Sequence, residues 1–227
     1  MTMTSSRQNP KRDGKDKPVL LKAVEMVLAK PETIKQETEQ LLAKYRRRYK
    51  ADRMDDDIKD LVAAKITSNY SYYAAFSGGA TALAGVIPGL GTVIATFGGA
   101  TADTALGMKF QVEMTMALAT LYEHNILEGE ERRLCFIVAA LGTISKAAKE
   151  GAKQLGTKAF VSMARQYLKG ATLATVKQLF KRVGVSFTRK ALEKAAPFGA
   201  GVVISFTANK GLTWYVGTKV HDFFKIN

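Results

Sequence analysis

Few side chains in this sequence combine the type and spacing that covalent or proton-transfer chemistry requires. The single cysteine, Cys135, lies in the apolar stretch RRLCFIVAAL, where a thiolate is disfavoured, so we expect a buried structural thiol in a reducing compartment. The two histidines, His124 and His221, have no neighbours that suggest a zinc site or a catalytic triad. No phosphate-binding loop, dinucleotide-binding glycine triplet or Gly-x-Ser-x-Gly motif occurs. The sequence therefore predicts no catalytic residue, no metal and no cofactor.

Asp103 is the acid with the most unusual setting, because it follows a stretch from Ile66 to Ala102 that contains no charged residue. At 100° per residue it falls on one helical stripe with large apolar residues such as Phe110 and Met114. A carboxylate on a buried stripe must be paired, hydrogen-bonded or neutralised. We therefore expect Asp103 to face the interior and to meet polar side chains of another helix, for which the candidates are Asn209 and Lys210.

The uncharged stretch is rich in Gly, Ala, Ser and Thr, which let helix backbones approach closely. Its first half is polar at the front, and its second half meets Asp103 before the roughly 20 apolar residues of a membrane span are complete. We therefore expect a buried, Gly/Ala-rich helical hairpin that turns at Pro88-Gly89-Leu90-Gly91. A hairpin embedded in the membrane is the alternative.

The elements around this hairpin are helical in pattern. Pro31 opens a segment that has acids at its front and Arg46–Arg48 at its end, and Asp55–Asp57 precede another apolar-periodic segment. Three consecutive acids without a glycine bend do not match a calcium loop. The sequence predicts an all-α, bundle-like domain over residues 19–227. Residues 1–18 have no apolar anchor and no secretory h-region, which predicts a disordered basic arm.

The net charge of +14 is concentrated in one part of the chain. Residues 146–195 contain twelve Lys and Arg against two Asp and Glu. Such a field attracts a membrane surface, nucleic acid or an acidic partner, whereas a solvated helix face that keeps the protein soluble is the simpler explanation. The candidate residues for binding an anionic surface are Arg46, Arg47, Arg48, Lys146, Lys149, Lys153, Lys177, Lys181, Arg182 and Arg189.

Three segments together resemble the EcsC family of bacterial proteins over roughly residues 55–224. They are DDDIKDLVAAKI, IPGLGTVIATFGGATADTALGMKFQVEMTMALATLYEHNIL and PFGAGVVISFTANKGLTWYVGTKVHDFF. The second segment is also similar to a helical family attached to some membrane-associated GTPases. After Leu-Tyr the family usually has Gly, where this chain has Glu123-His124. The resemblance implies an all-helical cytoplasmic protein without an established enzyme activity, encoded in some members beside an ABC exporter, and it highlights Asp103, Gln111 and Asn209.

These observations lead to three functional hypotheses. The first is a non-enzymatic protein that binds peripherally to the cytoplasmic face of the membrane, with an anionic membrane surface or a membrane protein complex as partner, as an accessory to transport, secretion or envelope processes. The second is a small-molecule or lipid binder, or an unrecognised enzyme, with Asp103 in a cleft. The third is a nucleic-acid-binding protein, which the sequence pI of about 9.8 favours but the lack of a recognised motif does not.

Overall fold

The computed structural model describes residues 19–75, 79–150 and 206–226, and the side chains of all of these except 141–150, 206–209 and 212. All regular secondary structure in these ranges is helical, which confirms the predicted all-α class. The helices are α1 (Val19–Val27), α2 (Pro31–Tyr49), α3 (Asp55–Ala75), α4 (Ala80–Leu83), α5 (Leu90–Phe97), α6 (Gly99–Leu121), α7 (Gly129–Glu150) and α8 (Phe206–Ile226).

The helix starts that the sequence signalled are present. Pro31 is the first residue of α2, and Asp55 to Asp57 form the first turn of α3, where acids complement the helix dipole. Arg46 near the end of α2 donates two hydrogen bonds to the Asp55 carboxylate, at 2.6 and 2.7 Å. This bidentate contact joins the end of α2 to the start of α3 across the short turn between them.

Helix α6 is the centre of the domain and packs against each of the other seven helices. Every residue from Met108 to Ala119 is buried, so this part of the helix has no solvent-facing side. The prediction of a single interior stripe was therefore too narrow. Periodicity identifies a buried face only when the opposite face meets water, and α6 has protein on all sides.

Helix α3 runs antiparallel to both α6 and α8. Near its start, Asp60 contacts Tyr122 at the end of α6 and Lys225 at the end of α8. Near its end, Tyr72 lies under Lys210, which is close to the start of α8. All three helices therefore have an end near Asp60, whereas the end of α3 and the start of α8 meet near Tyr72, about 18 Å farther along α3.

The uncharged stretch forms shorter pieces than the predicted two-armed hairpin. The turn lies where it was expected: Gly89 has φ +80° and α5 begins at the next residue. A side chain at Gly89 would also clash with the carbonyl oxygen of Met26 in α1. Both the positive φ and this close contact therefore require glycine at this position. A second positive φ of 82°, at Gly98, separates α5 from α6.

Burial of this stretch is also less complete than predicted. Ala80, Leu90 and Val93 belong to the core, whereas Val86 in the turn is 75% exposed and much of α5 faces outward. Within the described residues, no helix combines the length and apolar character needed to cross a bilayer.

Several sequence predictions fall on parts of the chain that the structure does not describe. The predicted arm over residues 1–18 is outside the described ranges. Lys146 and Lys149 lie in α7, but their side chains are not among those described. The remaining basic candidates outside the described residues are Lys153, Lys177, Lys181, Arg182 and Arg189.

Candidate functional site

Asp103 has a structural contact, and its partner is the backbone. Its Oδ1 accepts a hydrogen bond from the N–H of Ala80 at 2.8 Å, and the residue is partly buried. Ala80 is the first residue of α4, so this N–H is one of the donors that a helix start leaves without an intrahelical partner. Asp103 therefore connects α4 to the first turns of α6, and its partner is a backbone N–H instead of the polar side chains of another helix that we expected.

The other predicted polar candidates do not gather around Asp103. Gln111 is buried farther along α6, eight residues or about 12 Å from Asp103. Lys210 lies over Tyr72 instead, with its Nζ 3.7 Å from the centre of the ring. Asn209 is in the first turn of α8, and its side chain is not among those described.

Three exposed aromatic residues lie near Lys210 on α3 and α8. Tyr72 and Tyr73 at the end of α3 are 49% and 50% exposed, and Trp214, one helical turn after Lys210 on α8, is 48% exposed. We call Tyr72, Tyr73 and Trp214 the aromatic surface. A hydrogen bond from Lys210 also lowers the pKa of the Tyr72 hydroxyl. The sequence nominated Lys210 as a polar candidate but none of these aromatic residues. The available signals were the Tyr-x-Tyr-Tyr motif and the single tryptophan of the chain.

A charged cluster occupies the opposite end of α3. Asp60 accepts hydrogen bonds from Lys225 at 2.6 and 2.7 Å, and from Tyr122 at 3.4 Å. The Nε2 of His221 lies 3.2 Å from Asp60, and its Nδ1 lies 3.5 Å from Asp222. Burial alone would raise the pKa of Asp60, but the hydrogen bonds from Lys225 and His221 outweigh it and lower this pKa.

Burial raises the pKa of Tyr122, and the neighbouring Asp60 charge adds to this rise. The second histidine, His124, lies 3.0 Å from Glu131, and its ring packs 4.8 Å from that of Phe224. Both histidines of the chain therefore hold the last turns of α8 in place. Every ionisable member of this cluster has a partner, which indicates that the cluster stabilises the packing of the helices.

A buried ion pair inside α6 was not anticipated from the sequence. Lys109 and Glu113 are one turn apart and form a salt bridge, and both are less than 10% exposed. Glu113 also accepts a hydrogen bond from the N–H of Ala29, just after α1, at 2.7 Å. Burial raises the pKa of Tyr70 on α3, and the nearby Glu113 charge raises it further. The available signal was the Lys-Glu spacing of four residues in an otherwise apolar helix.

The remaining candidates behave as structural groups. Cys135 is buried as predicted, and burial raises the pKa of its thiol, which disfavours a nucleophilic role. Of the basic cluster, Arg46 is paired with Asp55, and the Arg48 guanidinium lies 5.5 Å from the centre of the Tyr49 ring. Arg47 is exposed.

No group of three or more His, Cys, Asp or Glu side chains in the described part of the chain is arranged to hold a metal ion.

Comparison with family models, with curated proteins and with solved structures finds no match to this chain. Among the described residues, the aromatic surface and Lys210 combine exposed tyrosine and tryptophan side chains with a lysine, and these residue types favour binding of a partner.

Proposed function

We propose that this chain is a non-enzymatic peripheral membrane protein that binds the bilayer interface through its aromatic surface. The observation that supports this proposal is the half-exposed state of Tyr72, Tyr73 and Trp214 at one end of a helical domain. Tyrosine and tryptophan have an apolar ring with a polar tip, so they are favoured at the boundary between lipid headgroups and acyl chains. Exposed single aromatic residues are common, but here two lie in the last turn of α3 and the third is one helical turn from Lys210, whose ammonium lies over Tyr72, so all three lie near one end of α3.

The charge distribution around the aromatic surface is consistent with this proposal. The chain from Ile66 to Ala102 has no charged residue, so the end of α3 approaches a bilayer without desolvating an ion of its own. The ion pairs of Asp60 lie near the other end of the helix, about 18 Å away. The exposed aromatic side chains and the ion pairs of Asp60 therefore lie at opposite ends of α3.

The net charge of +14 favours a membrane surface that carries anionic lipids. The resemblance to the EcsC family supports placing this surface on the cytoplasmic side and supports a role as accessory to transport, secretion or envelope processes. The hydrogen bond of Asp103 to Ala80 favours a structural role for that acid over a role in a ligand cleft.

A flotation assay with the full chain and lipid vesicles tests the proposal. We expect the wild type to float with vesicles, and Trp214→Ala and the double variant Tyr72→Ser/Tyr73→Ser to float several-fold less at the same lipid concentration. Met54→Ser is the matched control, because Met54 is 73% exposed in the turn before α3, at the opposite end of that helix. Equal flotation of the aromatic variants and the wild type would contradict the proposal, as would failure of the wild type to float.

A further inference from the structure

Lys210 differs from the other engaged lysines of the described structure in the kind of partner that it has. Lys59, Lys109 and Lys225 each pair with a carboxylate, namely that of Glu123, Glu113 or Asp60. Lys210 contacts the Tyr72 ring, and no carboxylate lies within ion-pair distance of its ammonium in the described part of the chain. Within the described residues, its charge is therefore held in place by an aromatic ring and has no carboxylate partner.

The position of Lys210 is set by two neighbouring elements. It is four residues before Trp214 on α8, so both side chains lie on the same helix face. Its ammonium lies over Tyr72 on α3, at the level of the exposed rings. A lysine whose ammonium lies over an exposed tyrosine ring, one helical turn from an exposed tryptophan, is placed beside the residue types that favour the membrane interface.

We propose that Lys210 binds the phosphate group of an anionic lipid headgroup when the aromatic surface rests on the membrane. Tyr72 holds this ammonium over its exposed ring, and interfacial tyrosine and tryptophan rings lie at the depth of the lipid headgroups. The contact replaces the hydration of this ammonium, which has no carboxylate partner among the described residues, with a charge-assisted hydrogen bond to phosphate. This inference rests on the proposed membrane function and adds to it the lipid chemistry and the residue that recognises it.

Binding of the full chain to two kinds of vesicle tests the inference. One kind is phosphatidylcholine alone, and the other is phosphatidylcholine mixed with anionic phosphatidylglycerol. For the mixed vesicles we expect Lys210→Met to weaken binding about five-fold, equivalent to about 1 kcal/mol, and Lys210→Arg to restore most of it. On phosphatidylcholine alone, where the net headgroup charge is zero, we expect Lys210→Met to bind nearly as well as wild type.

Lys50→Met is the matched control, because it removes the same charge from an exposed position just after α2, away from the aromatic surface. If Lys210→Met and Lys50→Met weaken binding equally while the wild type still binds vesicles, the inference about Lys210 is wrong and the membrane proposal stands. If the wild type binds neither vesicle, both are wrong. Binding of inorganic phosphate by the lipid-free chain that Lys210→Met abolishes, together with equal binding of wild type and Lys210→Met to the mixed vesicles, would assign the site to free phosphate and overturn the lipid assignment.

Discussion

The buried pair of Lys109 and Glu113 is the residue-scale feature with the largest expected energetic consequence. Two opposite charges inside α6 are tolerated because they face one another and because Glu113 also satisfies the N–H of Ala29. Removing one partner leaves the other as an uncompensated buried charge. The cost of that state exceeds the net benefit of the pair itself.

We therefore expect Lys109→Met to lower the free energy of unfolding by about 3–5 kcal/mol. The double variant Lys109→Met/Glu113→Gln should lose distinctly less, because no buried charge remains and the glutamine oxygen still accepts from Ala29. Denaturant-induced unfolding of the full chain measures both. A double variant less stable than Lys109→Met would show that the pair is not the reason for the loss.

Asp60 gives the charged cluster a defined response to acid. Its pKa is lower in the folded chain than its ordinary value, so the folded state binds this proton less readily than the unfolded state does. The stability that Asp60 contributes is present above the ordinary aspartate pKa of about 3.9 and is lost as pH falls through the lowered pKa.

We expect Asp60→Asn to remove this contribution to the acid dependence of stability. Thermal midpoints measured from pH 6 down to pH 3 should therefore fall less steeply for Asp60→Asn than for the wild type. Asp52→Asn, an exposed acid in the turn before α3, is the control and should keep the wild-type slope. Parallel curves for the wild type and Asp60→Asn would show that Asp60 has no lowered pKa in the folded chain.

At the scale of elements, the packing of α8 on α3 depends on one glycine. A Cβ at Gly217 would lie 2.8 Å from the Thr67 hydroxyl oxygen and 3.0 Å from the Met114 sulfur. These distances are shorter than van der Waals contact, so the side chains of Thr67 on α3 and Met114 on α6 fill the space beside Gly217 on α8. Gly211, six residues earlier on the same helix, has open space around the position of a Cβ.

We expect Gly217→Ala to lower the free energy of unfolding by about 1–3 kcal/mol, because the added methyl group overpacks the contact of the three helices. Gly211→Ala should instead be neutral or stabilising by up to about 1 kcal/mol, because alanine has the higher helix propensity and nothing obstructs it. Thermal or denaturant unfolding of the two variants compares one substitution at two sites of one helix. Equal effects would contradict the close packing at Gly217.

The structure also shows which elements the sequence could predict. Pro31 and Asp55 mark helix starts through local chemistry, and Gly89 marks a turn because its φ is positive. These signals determine helix starts and turns through residues that are close in sequence, so they could be predicted. The continuous burial of α6 was missed, because a helix surrounded by protein has no polar face to reveal its orientation.

Long-range partners were the least predictable feature. Asp103 was expected to need a partner, and it has one, but that partner is a backbone N–H, which any residue except proline supplies. The approach of His221 and Lys225 to Asp60 joins residues more than 160 positions apart, and nothing in local spacing indicates it.

At the scale of the whole molecule, the described helices place the exposed aromatic residues and the Asp60 cluster at different ends of α3. The Asp60 cluster fastens α3 to the ends of α6 and α8, whereas Tyr72, Tyr73 and Trp214 leave half of their surface unburied. Their exposure beside Lys210, which has no carboxylate partner among the described residues, is the reason that we assign the aromatic surface to the bilayer interface.

The emission of Trp214 tests this assignment most directly, because it is the only tryptophan in the chain and lies on the aromatic surface. In the full chain titrated with vesicles that contain anionic lipid, we predict a shift of its emission to shorter wavelength and quenching by lipids brominated on the acyl chain. Both changes require the indole to enter the interface. Emission that stays at the wavelength of the lipid-free protein, without quenching, while the chain is bound to the vesicles would contradict the account.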